Sequence, residues 1–85
     1  MAILHLVNRW HGLGDALSVI VPGDTIVLCG DAVTGWQQDW PWQTNVCVME
    51  EDIRARALEM PDTIRCIDYP QLVALCCEHA RVIAW

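Results

Sequence analysis

Short apolar runs alternating with amphipathic stretches are the feature that most narrows the fold of this chain. Ile3–Val7 (ILHLV), Thr25–Cys29 (TIVLC), Asn45–Met49 (NVCVM) and Ile64–Ile67 read as strands. Asn8–Gly14 reads as a loop with two glycines, and Asp15–Val21 as a short helix with Ala16, Leu17 and Ile20 on one face and Asp15 as its cap or first-turn acid. Pro22-Gly23-Asp24 is a turn. Gly30–Gln38 has no clear period, although Asp31 is placed to cap a short helix. Glu50–Leu58 reads as a helix ended by Pro61-Asp62. Its first turn is acidic, Arg54 and Arg56 follow, and Ile53, Ala57 and Met60 fall on its inner side. Asp68 and Gln71 have capping-box spacing around Pro70 and open a last helix, with Leu72, Val73, Leu75 and Cys76 on its apolar side. Val82–Trp85 (VIAW) is too short for a helix and reads as an edge strand or a docking segment. Strands and helices joined by short connections imply an α/β fold: a mostly parallel sheet of four or five strands with helices on both faces. A chain of 85 residues allows one domain, residues 1–85. In such sheets function gathers beyond the carboxyl ends of the strands, here Asn8–His11, Gly30-Asp31, Glu50–Asp52 and Asp68-Tyr69.

Composition removes several function classes. Hydrophobic residues make up 54% of the chain, while a domain this small buries only about 60–65% of its unfolded surface, so some apolar surface must remain outside, as on an unusually apolar monomer, or meet a partner. That points to an obligate subunit. The formal net charge is -6, and all five basic residues are arginines. Without clustered Lys/Arg there is no basis for direct binding to nucleic acid, and without lysine no Schiff base. The single serine, Ser18, lies outside any G-x-S-x-G context. The longest apolar runs are about five residues, against roughly 20 for a membrane span, and no signal-peptide pattern opens the chain. The expected compartment is therefore the cytoplasm, and the five cysteines are expected as free thiols.

Each candidate for chemistry has a plainer reading. Gly12-Leu13-Gly14 after a strand, with Asp31 about twenty residues on, outlines a dinucleotide fingerprint, but Leu17 stands where the third glycine belongs. A glycine-permitted loop and a helix cap explain the same residues. Cys29, Cys47 and Cys66 sit in strands and are expected buried and unreactive. Cys76 and Cys77 are adjacent on a helix, about 100° apart, which suits neither a disulfide nor a CxxC pair; Cys77 is the one expected outside. His79 lies three residues after Cys76, too few ligands for zinc, so no metal or cofactor is expected. His5 is expected as a packed strand residue, and His11 as a loop residue able to bind or titrate. Trp36, Trp40 and Trp42 cluster within seven residues, and Trp85 follows an apolar triplet. Tryptophan is frequent at interface hot spots, so these four are candidate interface residues.

A series of short pieces runs along the chain: Ile3-Leu4-His5 with Asn8-Arg9, Pro22-Gly23-Asp24, Gly30-Asp31-Ala32-Val33, Glu51-Asp52-Ile53, Ala55-Arg56-Ala57-Leu58, Ile67-Asp68-Tyr69, Leu72-Val73, His79 and Ala84-Trp85. In that order they resemble the TusB/DsrH family of sulfur-relay subunits. Ala32 and Ala57 stand where the family usually has glycine, and Thr34–Gln43 is a shortened middle. The DsrH branch carries a cysteine in its first helix, where this chain has Ala16, Leu17 and Ser18, so the TusB branch is the nearer. The resemblance implies a noncatalytic subunit joined to TusC-like and TusD-like chains in a heterohexamer. That complex takes persulfide sulfur from a TusA-like carrier onto a cysteine of the TusD-like chain. It passes the sulfur to a TusE-like protein, toward 2-thiolation of the tRNA wobble uridine. On this view Asp31 and Arg56 fix loops at the interface with Trp36, Trp40, Trp42 and Trp85. Three alternatives remain: a DsrH-like subunit of a sulfur-oxidation complex, a sulfurtransferase carrying sulfur on Cys77, and a small-ligand binder using Gly12–Gly14 and Asp31.

Overall fold

The computed structural model describes residues 2–38, 40 and 44–85. Four strands lie where the apolar runs place them: β1 (Ile3–Val7), β2 (Thr25–Leu28), β3 (Asn45–Met49) and β4 (Arg65–Ile67). Arg81–Ala84 adds β5. The five strands pair in parallel throughout, in the order β4-β3-β2-β1-β5. Among the described residues the helices α1 (Trp10–Val19), α2 (Glu50–Ala55) and α3 (Tyr69–Glu78) and a 3₁₀ helix at Gly30–Gly35 complete the order.

The handedness of parallel crossovers dictates how these layers fall. From β1 to β4 each strand is laid beside the last in one direction, so right-handed connections put α1, the 3₁₀ helix and α2 on one face. The step from β4 to β5 runs back across the whole sheet and leaves α3 on the other face. Packing agrees. Val7, Ile26, Leu28 and Val48 meet Leu13, Ala16, Ala32, Val33 and Ile53 on the first face. Leu4, Val27, Cys47, Met49 and Ile67 meet Leu75 on the second. At the centre of the order, β2 is buried at all four positions, which accounts for its unbroken apolar run.

Several local readings are corrected by these tertiary contacts. The first helix begins at Trp10, not Asp15, and takes in both glycines of the expected loop. Glycine costs a helix about 1 kcal/mol against alanine. At Gly12, however, a Cβ would come within 2.8 Å of the Trp85 Cβ and 2.9 Å of its carbonyl carbon. Close approach of β5 requires the bare backbone there. Asp31 lies in the first turn of the 3₁₀ helix, and the capping position is Cys29. The second helix stops at Ala55, because Ala57 turns to a positive φ of 52° and Leu58 N–H returns to the Ile53 carbonyl at 3.1 Å. Ala57 is therefore exposed rather than on the inner side, while Leu58 and Met60 still pack on the core. Val73 is 62% exposed. The inner side of α3 runs through Leu72, Leu75 and Cys76, and Val73 stands about 100° round the helix from Leu72. Cys66 is exposed and Cys29 half-buried, against an expectation of burial for both: Cys66 lies on the edge strand β4, and Cys29 just beyond the end of β2.

The last helix forms as its spacing predicts. Gln71 N–H donates to Asp68 Oδ1 at 2.9 Å, and Asp68 N–H donates to Gln71 Oε1 at 2.9 Å. At its far end His79 Nδ1 lies 2.6 Å from the Leu75 carbonyl and Nε2 lies 2.9 Å from Thr25 Oγ1. A carbonyl only accepts, so Nδ1 carries a proton, and Nε2 shares a hydrogen bond with the Thr25 hydroxyl. This pair ties α3 to the start of β2.

The two helical glycines should respond oppositely to alanine. Gly12→Ala is expected to lose about 1–3 kcal/mol by overpacking against Trp85. Gly14→Ala, with nothing within 4 Å of its added Cβ, is expected to gain roughly 0.5–1 kcal/mol. Urea denaturation midpoints of the two variants check both signs.

Candidate functional site

The carboxyl ends of β2 and β3 meet in a tied rim. Gly30 opens the segment after β2 at φ 54°, and a Cβ there would approach the Asn8 carbonyl to 3.3 Å. Its N–H donates to Asp52 Oδ2 at 2.9 Å. Arg56 then bridges two elements, donating from Nη2 to Asp31 Oδ1 at 2.8 Å and from Nη1 to the Asp52 carbonyl at 3.2 Å. Asp31 and Arg56 are thus brought together, although 25 residues separate them. The rim is acidic, with Glu50, Glu51 and Asp52 in the first turn of α2. Exposed Tyr69 stands beside it; the charge of Glu51, ahead of desolvation, raises its phenol above the ordinary value.

The tryptophans divide. Trp36 and Trp40 are half-buried against the first-face core, and the Trp40 Nε1–H donates to the Trp36 carbonyl at 3.2 Å. With Pro61, Thr63 and Ile64 they line an open groove of about 610 Å³. Trp42 lies outside the described residues. Trp85 turns inward: its ring stacks on His5 with centroids 6.1 Å apart and its Nε1–H donates to His5 Nδ1 at 3.1 Å. Trp10, not singled out from the sequence, is 51% exposed, its ring lying over Gly35.

Sequence reasoning missed one buried polar network. His5 Nε2 and Asp24 Oδ2 are 3.0 Å apart, and each side chain is 1% exposed. Asp24 also accepts from Ile3 N–H at 3.0 Å and Val21 N–H at 3.2 Å. Indole N–H can only donate, so His5 Nδ1 is the acceptor and Nε2–H points at Asp24. Burial pushes the Asp24 carboxyl up, but the His5 ring bond and the two amides outweigh it and hold the group below its ordinary value. No local motif links a strand histidine to a turn aspartate 19 residues on; the pairing of β1 with β2 does.

Elsewhere the geometry narrows the chemistry. Gly12 and Gly14 lie inside α1, and Trp85 fills the space over Gly12, so no phosphate-cradling loop exists there. His11 is exposed on that helix. Burial, then Asp52, raises the Cys29 thiol. Burial raises Cys47, with Arg65 opposing, and burial and Glu50 raise Cys66. These three are held from the thiolate form that sulfur chemistry needs. Cys77 is exposed on α3. A second depression, of about 490 Å³, lies at the opposite, amino ends of the strands, where Arg65 and Glu78 place opposite charges near Thr25, Cys47 and His79. Among the described residues no group of three or more His, Cys, Asp or Glu could hold a metal ion, and no helix is long and apolar enough to cross a membrane.

Comparison with known proteins places these features in context. A family described as "DsrH like protein" matches residues 9–82. "Protein TusB" of Salmonella arizonae is 32% identical over 86 residues, covering 99% of this chain and 84% of that protein. "Protein TusB" of Salmonella paratyphi B and of Salmonella newport match with the same identity and coverage.

Burial separates Asp24 and Asp31, two described aspartates that meet basic side chains on other elements. Asp24→Ala strands three donors in the core and is expected to cost about 3–5 kcal/mol. Asp31→Ala removes an ion pair whose carboxylate is 80% exposed and should cost less than about 1 kcal/mol. Because the folded Asp24 value is depressed, its stabilisation is complete above the unfolded carboxyl value of about 3.9 and is lost as pH falls through the folded value. Asp24→Asn should therefore flatten the acid limb of the stability–pH curve; denaturant titrations from pH 6 downward read both effects.

Proposed function

This chain belongs to the DsrH-like family, and from that premise we propose that it is a noncatalytic, assembly-forming subunit of a cytoplasmic sulfur-relay complex. Its companions are TusC-like and TusD-like chains in a heterohexamer, with the transferred persulfide held on the TusD-like chain. The path runs from a TusA-like carrier to a TusE-like acceptor and ends in 2-thiolation of the tRNA wobble uridine. The observation that carries this reading is the state of the thiols. Persulfide transfer proceeds by thiolate attack. Cys29, Cys47 and Cys66 are all shifted away from thiolate, and no thiol stands at the tied rim in a cationic setting. An acidic chain without lysine also suits contact with proteins rather than with tRNA.

In this reading the partner-facing surface runs along the rim and the half-buried indoles. Arg56 holds Asp31 in place, and Trp36 and Trp40 offer a rigid aromatic wall. Trp85 contributes from within, by fixing the strand a neighbour would meet. Trp42 completes the set from the sequence.

The second reading, sulfur carried on Cys77, draws on that thiol's exposure. One experiment separates the two. The chain is co-expressed with TusC-like and TusD-like partners, the complex is weighed by native mass spectrometry, and sulfane-labelled carrier is added. Label is expected on a partner chain alone, with transfer unchanged in Cys77→Ser. Label on this chain that disappears in Cys77→Ser would sink the noncatalytic reading, and a free monomer in the presence of both partners would sink the assembly.

A further inference from the structure

We propose that the His5–Trp85 contact is a proton-controlled latch: a proton on His5 Nδ1 releases Trp85 and loosens β5 from β1, while β1–β4 stay folded. The inference rests on geometry within the chain and stands apart from the sulfur-relay reading.

The latch concentrates the anchorage of an otherwise thin element. β5 is a four-residue edge strand with Arg81, Val82 and Ala84 exposed. A strand so short adds little by itself. Beyond its ladder with β1, its hold comes at the start from Ala80, whose N–H donates to the Ala2 carbonyl at 3.2 Å, and at the end from Trp85: the N–H donates to the Leu6 carbonyl at 2.8 Å, the backbone rests on Gly12, and the indole bonds and stacks on His5.

That indole bond exists only with Nδ1 unprotonated. Adding a proton forms a new N–H that faces the Trp85 Nε1–H, so the acceptor is lost and two donors confront one another. The other side of the ring reacts oppositely. Nε2–H still points at Asp24, and an imidazolium gains a charge-assisted bond to a carboxylate that stays ionised. One proton therefore strengthens the tie between β1 and the turn before β2 and breaks the tie to β5. The surroundings do not blunt this. In register, Ile26 and Ile83 flank His5 from β2 and β5. Asp24 is its only charged partner among the described residues. Among the other titratable groups on the elements around it, His11 and Asp15 of α1 are exposed, as is Arg81 of β5, which stands in register with Ile3 rather than with His5. Release uncovers the unpaired N–H and C=O groups of the β1 edge.

Hydrogen–deuterium exchange mass spectrometry tests the latch on the full-length chain, free or inside an assembly. Protection factors, corrected for intrinsic exchange, are compared between about pH 7.5 and about pH 5.5, the range in which histidine ordinarily titrates. Protection over residues 81–84 is expected to fall about tenfold per pH unit of proton uptake relative to residues 25–28 and 45–48. Trp85→Phe keeps a ring but removes the N–H, so its edge strand should be looser at neutral pH and lose the pH step. His5→Asn, an acceptor that takes no proton, should lose the step as well. Wild-type protection of 81–84 that keeps pace with 25–28 on acidification would overturn the proposal, as would an undiminished pH step in Trp85→Phe.

Discussion

One buried carboxylate organises the start of this fold. Asp24 accepts from Ile3 N–H, Val21 N–H and the His5 ring, so it joins the first strand, the end of the α1 connection and the entry to β2 at one point. A charge in that position is tolerable only because every partner is present. The register of β1 on β2 follows, with His5 beside Ile26, and the remaining strands build outward from that pair. The same imidazole carries the tie outward to Trp85, so two distant segments, the turn at residue 24 and the far edge strand, share one ring.

The unequal coverage of the sheet follows from topology. Three crossovers in one direction stack their helical segments on one face, and the single return crossover leaves the other face to α3 alone. Val73 of α3 and Val82 of β5 remain exposed. Such surface is the structural counterpart of the apolar excess in the composition, and it is the surface a subunit rather than a free-standing domain can leave uncovered.

Three of the thiols share one electrostatic tendency: Cys29, Cys47 and Cys66 are all raised. Desolvation and neighbouring carboxylates act on Cys29 and Cys66 in the same direction, away from the anion. The rim that in open α/β sheets usually carries function is built here from an Arg56–Asp31 clasp and an Asp52 side chain bound to a backbone amide. Those groups shape and rigidify the surface there.

The order of elements was determined by the residues themselves. Apolar runs separated by turn and capping residues mark β1 to β4, and the Asp68–Gln71 box marks the start of α3, because these signals act within a few residues of one another. Parallel pairing follows from the short connections. Tertiary structure alone decided what depends on distant partners. It extended α1 back through Gly12, because β5 needs that bare backbone; it turned Trp85 inward, because His5 offers an acceptor; and it placed Cys66 outside, because β4 became an edge. In each case the deciding contact joins residues far apart along the chain, and a local pattern cannot encode the atom that will arrive opposite it.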